Sequence, residues 1–384
     1  MGSPKVRALP LTEACAATES PNGPAPTTAV SMRSTSLNLT GSCYLRPVRA
    51  RDHGFAVGLL PAGPGNAITD VAGVRVGHAN HVPGHTGVTA VWPHGGDPWA
   101  EWYFCATAAL NGAGELTGTH EIEEWGCQEV PVLLTGTPYV GAVYTGVTHT
   151  LMGRQPRIGR DDVIIPVVGE CDPSSWCDMR EGPEPDDALV ARALDAAAGG
   201  AVAEGQVGAG VGMETFGYAG GIGTSSRVVG DHTLGVLVLA NYGLTERFVL
   251  CGRPVGRELA SETASSGEGS CICLVATDAP LLPHQLRRLV RRPFLGLAST
   301  GSYGSHGSGE IAFAWTTANL MARDEQDSVR ALQMLRDDLL SLLFAACAEA
   351  AEEAVLNALC AGRDLRGYDG RTLPRFPAER FAMA

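Results

Sequence analysis

Ser266-Gly267-Glu268-Gly269-Ser270-Cys271-Ile272-Cys273-Leu274-Val275-Ala276-Thr277-Asp278 is the stretch on which the reading of this chain turns. A glycine-rich loop ends at Gly269, and an apolar, strand-forming run begins directly after Ser270. Gly269 has no side chain, so its carbonyl is open to the hydroxyl of the next residue. If Ser270 Oγ attacks that carbonyl, the peptide bond becomes an ester, and hydrolysis leaves Ser270 as a new N-terminus. An α-amine with a reference pKa of about 7.7–8.0 can then act as the base for its own hydroxyl. Taken alone, Gly-Ser is ordinary turn punctuation, so the chemistry needs support from the rest of the chain.

Composition limits the choices. The chain has 384 residues, 45% of them hydrophobic, with 49 glycines, which is enough for a large core rich in tight turns. A net charge of −13 argues against nucleic acid or anionic membrane as the main partner. Lys5 is the only lysine, which removes P-loop nucleotide binding, lysine Schiff bases and Ser-Lys dyads. The 11 cysteines include no C-x-x-C pair, so they read as reduced, mostly buried thiols and not as a metal or redox motif. With no spanning segment and no secretory pattern at the start, the expected location is the cytoplasm.

Residues 1–52 are rich in Pro, Ser, Thr and Ala and read as a loose extension. Residues 53–384 read as one catalytic domain. Within it, strands are expected at 88–93, 130–135, 163–168, 233–241, 271–276 and 309–317, and helices at 186–198, 280–292 and throughout 327–361. Residues 255–269 read as an exposed, cleavable loop. The run 207–224 imitates a dinucleotide loop but lacks the G-x-G-x-x-G order, so it reads as glycine-rich strands and turns. His78, His81 and His85 lie close together without a completing carboxylate or cysteine and read as loop histidines, so no metal is expected.

Three further places converge on Ser270. In Gly307-Ser308-Gly309-Glu310, residues two apart share one side of a strand, so Ser308 and Glu310 point together. A carboxylate there would orient an α-ammonium and mediate proton transfer, with the hydroxyl between them. Asn241 closes a very apolar strand and offers an uncharged donor for an oxyanion, although an Asn-Tyr-Gly turn explains it equally well. Asn111, in the Asn111-Gly112-Ala113-Gly114-Glu115 turn, could shape a pocket, but the glycine turn is the simpler reading. A primary-amine substrate would need an acid, and Glu115, Glu170 and Asp172 are available. No G-x-S-x-G elbow and no H-E-x-x-H occur, and His306 has no acid placed to make it a serine's base.

These motifs together resemble the self-processing L-aminopeptidase/D-esterase (DmpA-like) and β-peptidyl aminopeptidase family. The likeness lies in Gly-Glu-Gly-Ser270-Cys-Ile-Cys-Leu-Val-Ala-Thr-Asp with Ser308-Gly-Glu310. It extends to Asn66-Ala-Ile-Thr-Asp70-Val-Ala-Gly-Val-Arg-Val-Gly, Leu110-Asn-Gly-Ala-Gly-Glu115 and Glu353-Ala-Val-Leu-Asn357, in the family's order over about residues 54–380. The resemblance implies an α+β fold, a four-layer α-β-β-α sandwich like that of N-terminal-nucleophile hydrolases and of ornithine acetyltransferases. It implies cleavage between Gly269 and Ser270 into chains 1–269 and 270–384, which stay together, commonly as a homotetramer. Ser270 would be the nucleophile, Ser308 and Glu310 the support for its amine, and Asn241 an oxyanion contact. No cofactor is implied. Members remove glycine, D-alanine or β-amino acids from short peptides, amides and esters. Where the family often has a tyrosine lining the site, this chain has Cys171, with Trp176 a few residues on, and both are expected at the substrate. That departure keeps open a different small amide, pantetheine-like or an ω-amino acid oligomer, and an unprocessed, non-catalytic homologue.

Overall fold

The computed structural model describes residues 48–82, 85–263, 265 and 269–383. Two sheets face each other. The smaller contains β1 (Arg75–Ala79), β2 (Val88–Trp92), β5 (Val132–Gly136) and β6 (Val167–Cys171) in the order β1-β2-β5-β6. The larger runs β13-β3-β12-β11-β10-β9 and is built from β3 (Glu101–Gly112), β9 (Gly221–Val229), β10 (His232–Asn241), β11 (Ser270–Thr277), β12 (Gly309–Thr316) and β13 (Met321–Ala322). The two-residue β4 (Cys127–Gln128) pairs with β3. Two short hairpins complete the strands: β7 (Glu214–Thr215) with β8 (Tyr218–Ala219), and β14 (Leu365–Arg366) with β15 (Thr372–Leu373).

The side-chain alternation of β11 builds the layers. Ile272, Leu274 and Ala276 enter a core shared with Leu133, Leu134, Val167 and Val168 of the smaller sheet. Cys271, Cys273 and Val275 enter a second core with the helices. β10 alternates in the same way, Leu237 and Leu239 facing the sheet, Val236 and Val238 the helices. A run apolar at every position therefore needs both faces covered, and both are. Helices α2 (Val140–Arg154) and α3 (Asp187–Asp195) cover the smaller sheet; α5 (Pro283–Leu289) and α7 (Leu340–Ala361) cover the larger, and α6 (Pro293–Ser299) packs on α7. The short α1 (Thr119–Trp125) lies beside β3, and α4 (Gly256–Leu259) falls in the segment read as a loop. The four-layer α-β-β-α arrangement is the one expected.

Several boundaries differ from the sequence reading. The helix expected throughout 327–361 occupies only α7, because the chain before it is held by outside partners: Leu335 N–H donates to the Pro280 carbonyl and Gln285 Nε2 to the Leu335 carbonyl. The 280–292 helix is shorter, and Pro283 and Pro293 each open a separate helix, as proline at a first turn does. The strand expected at 163–168 begins only at Val167, after Pro166, which lacks an amide donor.

Residues 48–52, expected to be loose, are packed. Arg49 pairs with the buried Glu204 at 2.8 Å, and Arg51 with the buried Glu353 at 2.6 Å. The rest of the expected extension lies outside the described residues. Glu353 also takes Arg227 Nη2 at 2.7 Å, and Asn357 Nδ2 donates to the Thr224 carbonyl. Asp70 accepts from Gly65 N–H and Ser226 Oγ. The Asn66–Asp70 and Glu353–Asn357 motifs thus lash the entry of the domain and β9 to α7, and hold the fold instead of the chemistry. Among the described residues no helix is long and apolar enough to cross a membrane.

Candidate active site

Strand direction gathers the site at one end of the sandwich. β11 and β12 run parallel to each other, while β3 and β10 run antiparallel to them. The starts of β11 and β12 therefore lie beside the ends of β3 and β10. Ser270 opens β11 opposite Asn241, which ends β10, and Gly309 opens β12 opposite Gly112, which ends β3.

Ser270 is 8% exposed. Its Oγ accepts from Gly309 N–H at 3.1 Å and lies 3.5 Å from the Ala113 carbonyl oxygen. Gly269 must be glycine here: a Cβ would stand 1.9 Å from the Asn241 carbonyl oxygen. Ser308 Oγ donates to Glu310 Oε1 at 2.6 Å, in a buried pair. Asn111 Nδ2 donates to the Ser305 carbonyl at 2.8 Å and lies 3.5 Å from Ser308 Oγ, so Asn111 fixes the loop carrying Ser308 and does not line the cavity described below. Asn241 accepts from Glu214 N–H at Oδ1 (2.8 Å) and donates through Nδ2 to the Asp172 carbonyl (2.9 Å). Both contacts set the amide's orientation and leave the second Nδ2 proton for another acceptor.

Ser270 sits at the edge of a cavity of about 380 Å3. Glu115, Glu170, Asp172 and Glu214 all line it, and among the described residues no Lys, Arg or His does. Glu170 is buried; its Oε1 accepts from Glu115 N–H at 2.7 Å and its Oε2 from the Thr137 hydroxyl. Burial pushes the Glu170 carboxyl above its ordinary value, and those two donors pull the other way. Gly269 also borders a void of about 10 Å3 with Tyr242, Ser305 and Glu310, so the Gly269–Ser270 junction separates two spaces.

Two expected substrate contacts are displaced. Cys171 is fully buried in the core between the sheets, with Sγ 3.5 Å from the Leu239 carbonyl, and the adjacent Glu170 takes the cavity because neighbouring strand residues point oppositely. Trp176 does not line the cavity but donates from Nε1 to Glu214 Oε2 at 2.7 Å. Glu214 and Thr137 were not among the expected site residues. Glu214 did leave a signal, being the only charged residue in the run 207–224. His306 is exposed, and His78 is held by Thr89 Oγ1 at 2.9 Å. Among the described residues no cluster of three or more His, Cys, Asp or Glu is placed to hold a metal.

The model of peptidase family S58 matches residues 66–373. The chain belongs to that family. It is 39% identical over 372 residues to the β-peptidyl aminopeptidase BapA of Sphingosinicella microcystinivorans, covering 88% of this chain and 92% of that one. Among solved structures, a β-aminopeptidase from a Burkholderia species aligns with a TM-score of 0.81 at 39% identity, over 87% of this chain and 97% of the other. The L-aminopeptidase/D-Ala-esterase/amidase of Ochrobactrum anthropi aligns with a TM-score of 0.81 at 35% identity, over 87% and 96%; it is described as a prototype of the serine aminopeptidases and a variant of the Ntn hydrolase fold. This S58 chain is accordingly a peptide-bond hydrolase, an aminopeptidase of the N-terminal-nucleophile kind.

Proposed function

We propose that the chain cleaves itself between Gly269 and Ser270 and then releases small N-terminal residues from short peptides, amides and esters through an acyl-enzyme on Ser270. The observation that carries this reading is Ser270 Oγ, held by Gly309 N–H at the edge of a cavity walled by carboxylates. In self-cleavage, Ser270 Oγ bonds to the Gly269 carbonyl carbon, the C–N bond breaks, and the departing nitrogen takes the hydroxyl proton. Water then attacks the ester, giving the Gly269 carboxylate and the free Ser270 hydroxyl, with products of 269 and 115 residues (384 − 269 = 115).

In turnover the freed α-amine accepts the Ser270 proton as Oγ attacks the substrate carbonyl. The same amine returns the proton to the leaving amine, and water completes hydrolysis of the acyl-enzyme. Ser308 and Glu310 support the amine, and the remaining Nδ2 proton of Asn241 faces the developing oxyanion. A substrate ammonium answers the carboxylates, Glu170 first, since its two oxygens are fixed by neutral donors and no described lining residue is cationic. Glycyl, D-alanyl and β-aminoacyl groups, the last named for the BapA and Burkholderia relatives, are the proposed acyl parts. We place the enzyme in the cytoplasm, where its free thiols stay reduced, as a tetramer of two-chain protomers.

Mass spectrometry of the purified protein tests cleavage, and release of p-nitroaniline from glycyl and β-alanyl anilides tests turnover. N-acylated amides, lacking the ammonium, should be refused. An intact chain with no amine release would overturn the proposal.

A further inference from the structure

We infer that the leaving-group side of the site takes a free carboxylate, and that Arg247, stacked on Tyr303, is the residue that reads it. Short peptides with a free C-terminus are then cleaved in preference to the same peptides amidated. The inference rests on the aminopeptidase reading of Ser270 and adds the chemistry of the leaving group.

The Gly269–Ser270 junction has a space on each side, and proton transfer decides which one the leaving group takes. The leaving nitrogen receives its proton from the Ser270 α-amine, so it must come within hydrogen-bond reach of that amine. The amine forms from the nitrogen bonded to Gly269, and Glu310, its proposed support, lines the small void together with Gly269 and Tyr303. While Gly269 is attached, that void holds about 10 Å3, room for one water. Gly269 is part of its wall, so cutting the bond and withdrawing Gly269 opens the void to the leaving group.

The outer wall of the void is built against Arg247. Tyr303 lines the void, is 56% exposed, and carries the Arg247 guanidinium 5.1 Å from its ring centroid. Gly301 begins the same loop with φ +111°, and a Cβ there would stand 2.1 Å from the Arg247 carbonyl oxygen, so glycine lets the loop lie this close. Val249 N–H donates to the Thr300 carbonyl at 2.9 Å and ties the two segments again. Stacking uses the face of the guanidinium and leaves its in-plane N–H groups pointing outward, where a carboxylate can meet two of them. Among the described residues no carboxylate pairs with Arg247. Charge gives the direction as well. A peptide's own carboxylate is repelled by Glu115, Glu170 and Asp172 in the larger cavity. On the other side Ser302, Tyr303 and Ser305 are neutral, and Arg247 stands beside them. An ammonium in the cavity and a carboxylate toward Arg247 therefore lay a short peptide across Ser270 in one direction.

The test compares kcat/KM for β-alanyl-L-leucine and its C-terminal amide, and for β-alanyl-L-leucylglycine and its amide. An ion pair at an exposed rim predicts a preference of about three- to fivefold for the free acid in at least one pair. Added salt should shrink that ratio in the wild type. Arg247→Gln should bring it to one or below, and Arg247→Lys should keep part of it. Because each ratio is taken within one protein, a variant that is partly misfolded still reports. Ratios of one or below in both wild-type pairs, a ratio insensitive to salt, or a ratio unchanged in Arg247→Gln would overturn the inference. In each of those cases release of p-nitroaniline from the β-alanyl anilide, which has no carboxylate, would leave the aminopeptidase reading standing. If neither the anilide nor any peptide reacts, that reading itself fails and the inference falls with it.

Discussion

Replacing Gly269 with alanine should nearly abolish self-cleavage without unfolding the protein. The added Cβ would lie 1.9 Å from the Asn241 carbonyl oxygen, whereas real Cβ contacts essentially never fall under 3.0 Å, so the two must separate by at least 1.1 Å (3.0 − 1.9). The obstacle is backbone, not a side chain that can turn aside. Asn241 is held through Glu214 and Asp172, and it faces Ser270 as the last pair of the β10–β11 ladder. The movement therefore falls on Gly269 and the scissile carbonyl. A displacement of about 1 Å from attack geometry slows a reaction by roughly a hundredfold, or about 2.7 kcal/mol of barrier. The assay is a denaturing gel and intact-mass time course after purification, with Ser270→Ala as the uncut reference. Residues 272–276 keep their core contacts, so the thermal midpoint should stay within a few degrees of that of Ser270→Ala. Cleavage of Gly269→Ala at the parental rate would refute the proposed geometry of attack.

Other perturbations separate the roles of neighbouring residues. Asn241→Ala should lower kcat by about 10²–10³ with a smaller change in KM, since an oxyanion donor acts in the transition state; steady-state kinetics on glycyl p-nitroanilide reads this. Glu310→Gln, which keeps the Ser308 contact but removes the charge, should slow turnover more than Ser308→Ala does, in single-turnover kinetics of processed protein. Thr137→Val removes the hydroxyl that favours the charged form of Glu170; because burial already raises that carboxyl, its pKa rises further, and the acid limb of kcat/KM moves to higher pH. Glu353→Ala takes from the buried Arg227 one of its two carboxylates, Glu349 remaining at 3.1 Å, and also releases Arg51, so denaturant unfolding should show a loss of about 3 kcal/mol, the low end for a broken buried pair.

Much of this was legible because it is local. The alternation after Ser270, the apolar run ending at Asn241 and the two-residue spacing of Ser308 and Glu310 are properties of neighbours in sequence, and each reappears in the structure. What failed depended on distant partners. Residues 327–336 have helical composition, yet the backbone of Gln333 and Leu335 is claimed by Asn319, Pro280 and Gln285, so local propensity loses. Cys171 and Glu170 differ by one position, and only the register of β6 against β5 decides which side chain meets the cavity. Glu214 and Thr137 reach the site from segments with no motif of their own.

The end-of-strand placement also explains why one chain can host both self-cleavage and turnover on external substrates. Before cleavage, Gly269 occupies the junction between the carboxylate cavity and the small void beside Glu310. A substrate carbonyl must later stand where the Gly269 carbonyl stood, because Ser270 Oγ and Gly309 N–H are fixed by the ladder and cannot be re-aimed. In the proposed mechanism the two reactions share a nucleophile and an oxyanion site but differ in what holds the acyl group: the covalent chain in the first, the carboxylates in the second. Substitutions of Glu170 or Glu214 should accordingly spare cleavage between Gly269 and Ser270 while raising KM for small amine substrates, whereas substitutions of Asn241 should slow both. If Glu170→Gln blocked self-cleavage in a protein with an unchanged thermal midpoint, the division between the strand-end chemistry and the cavity would be wrong.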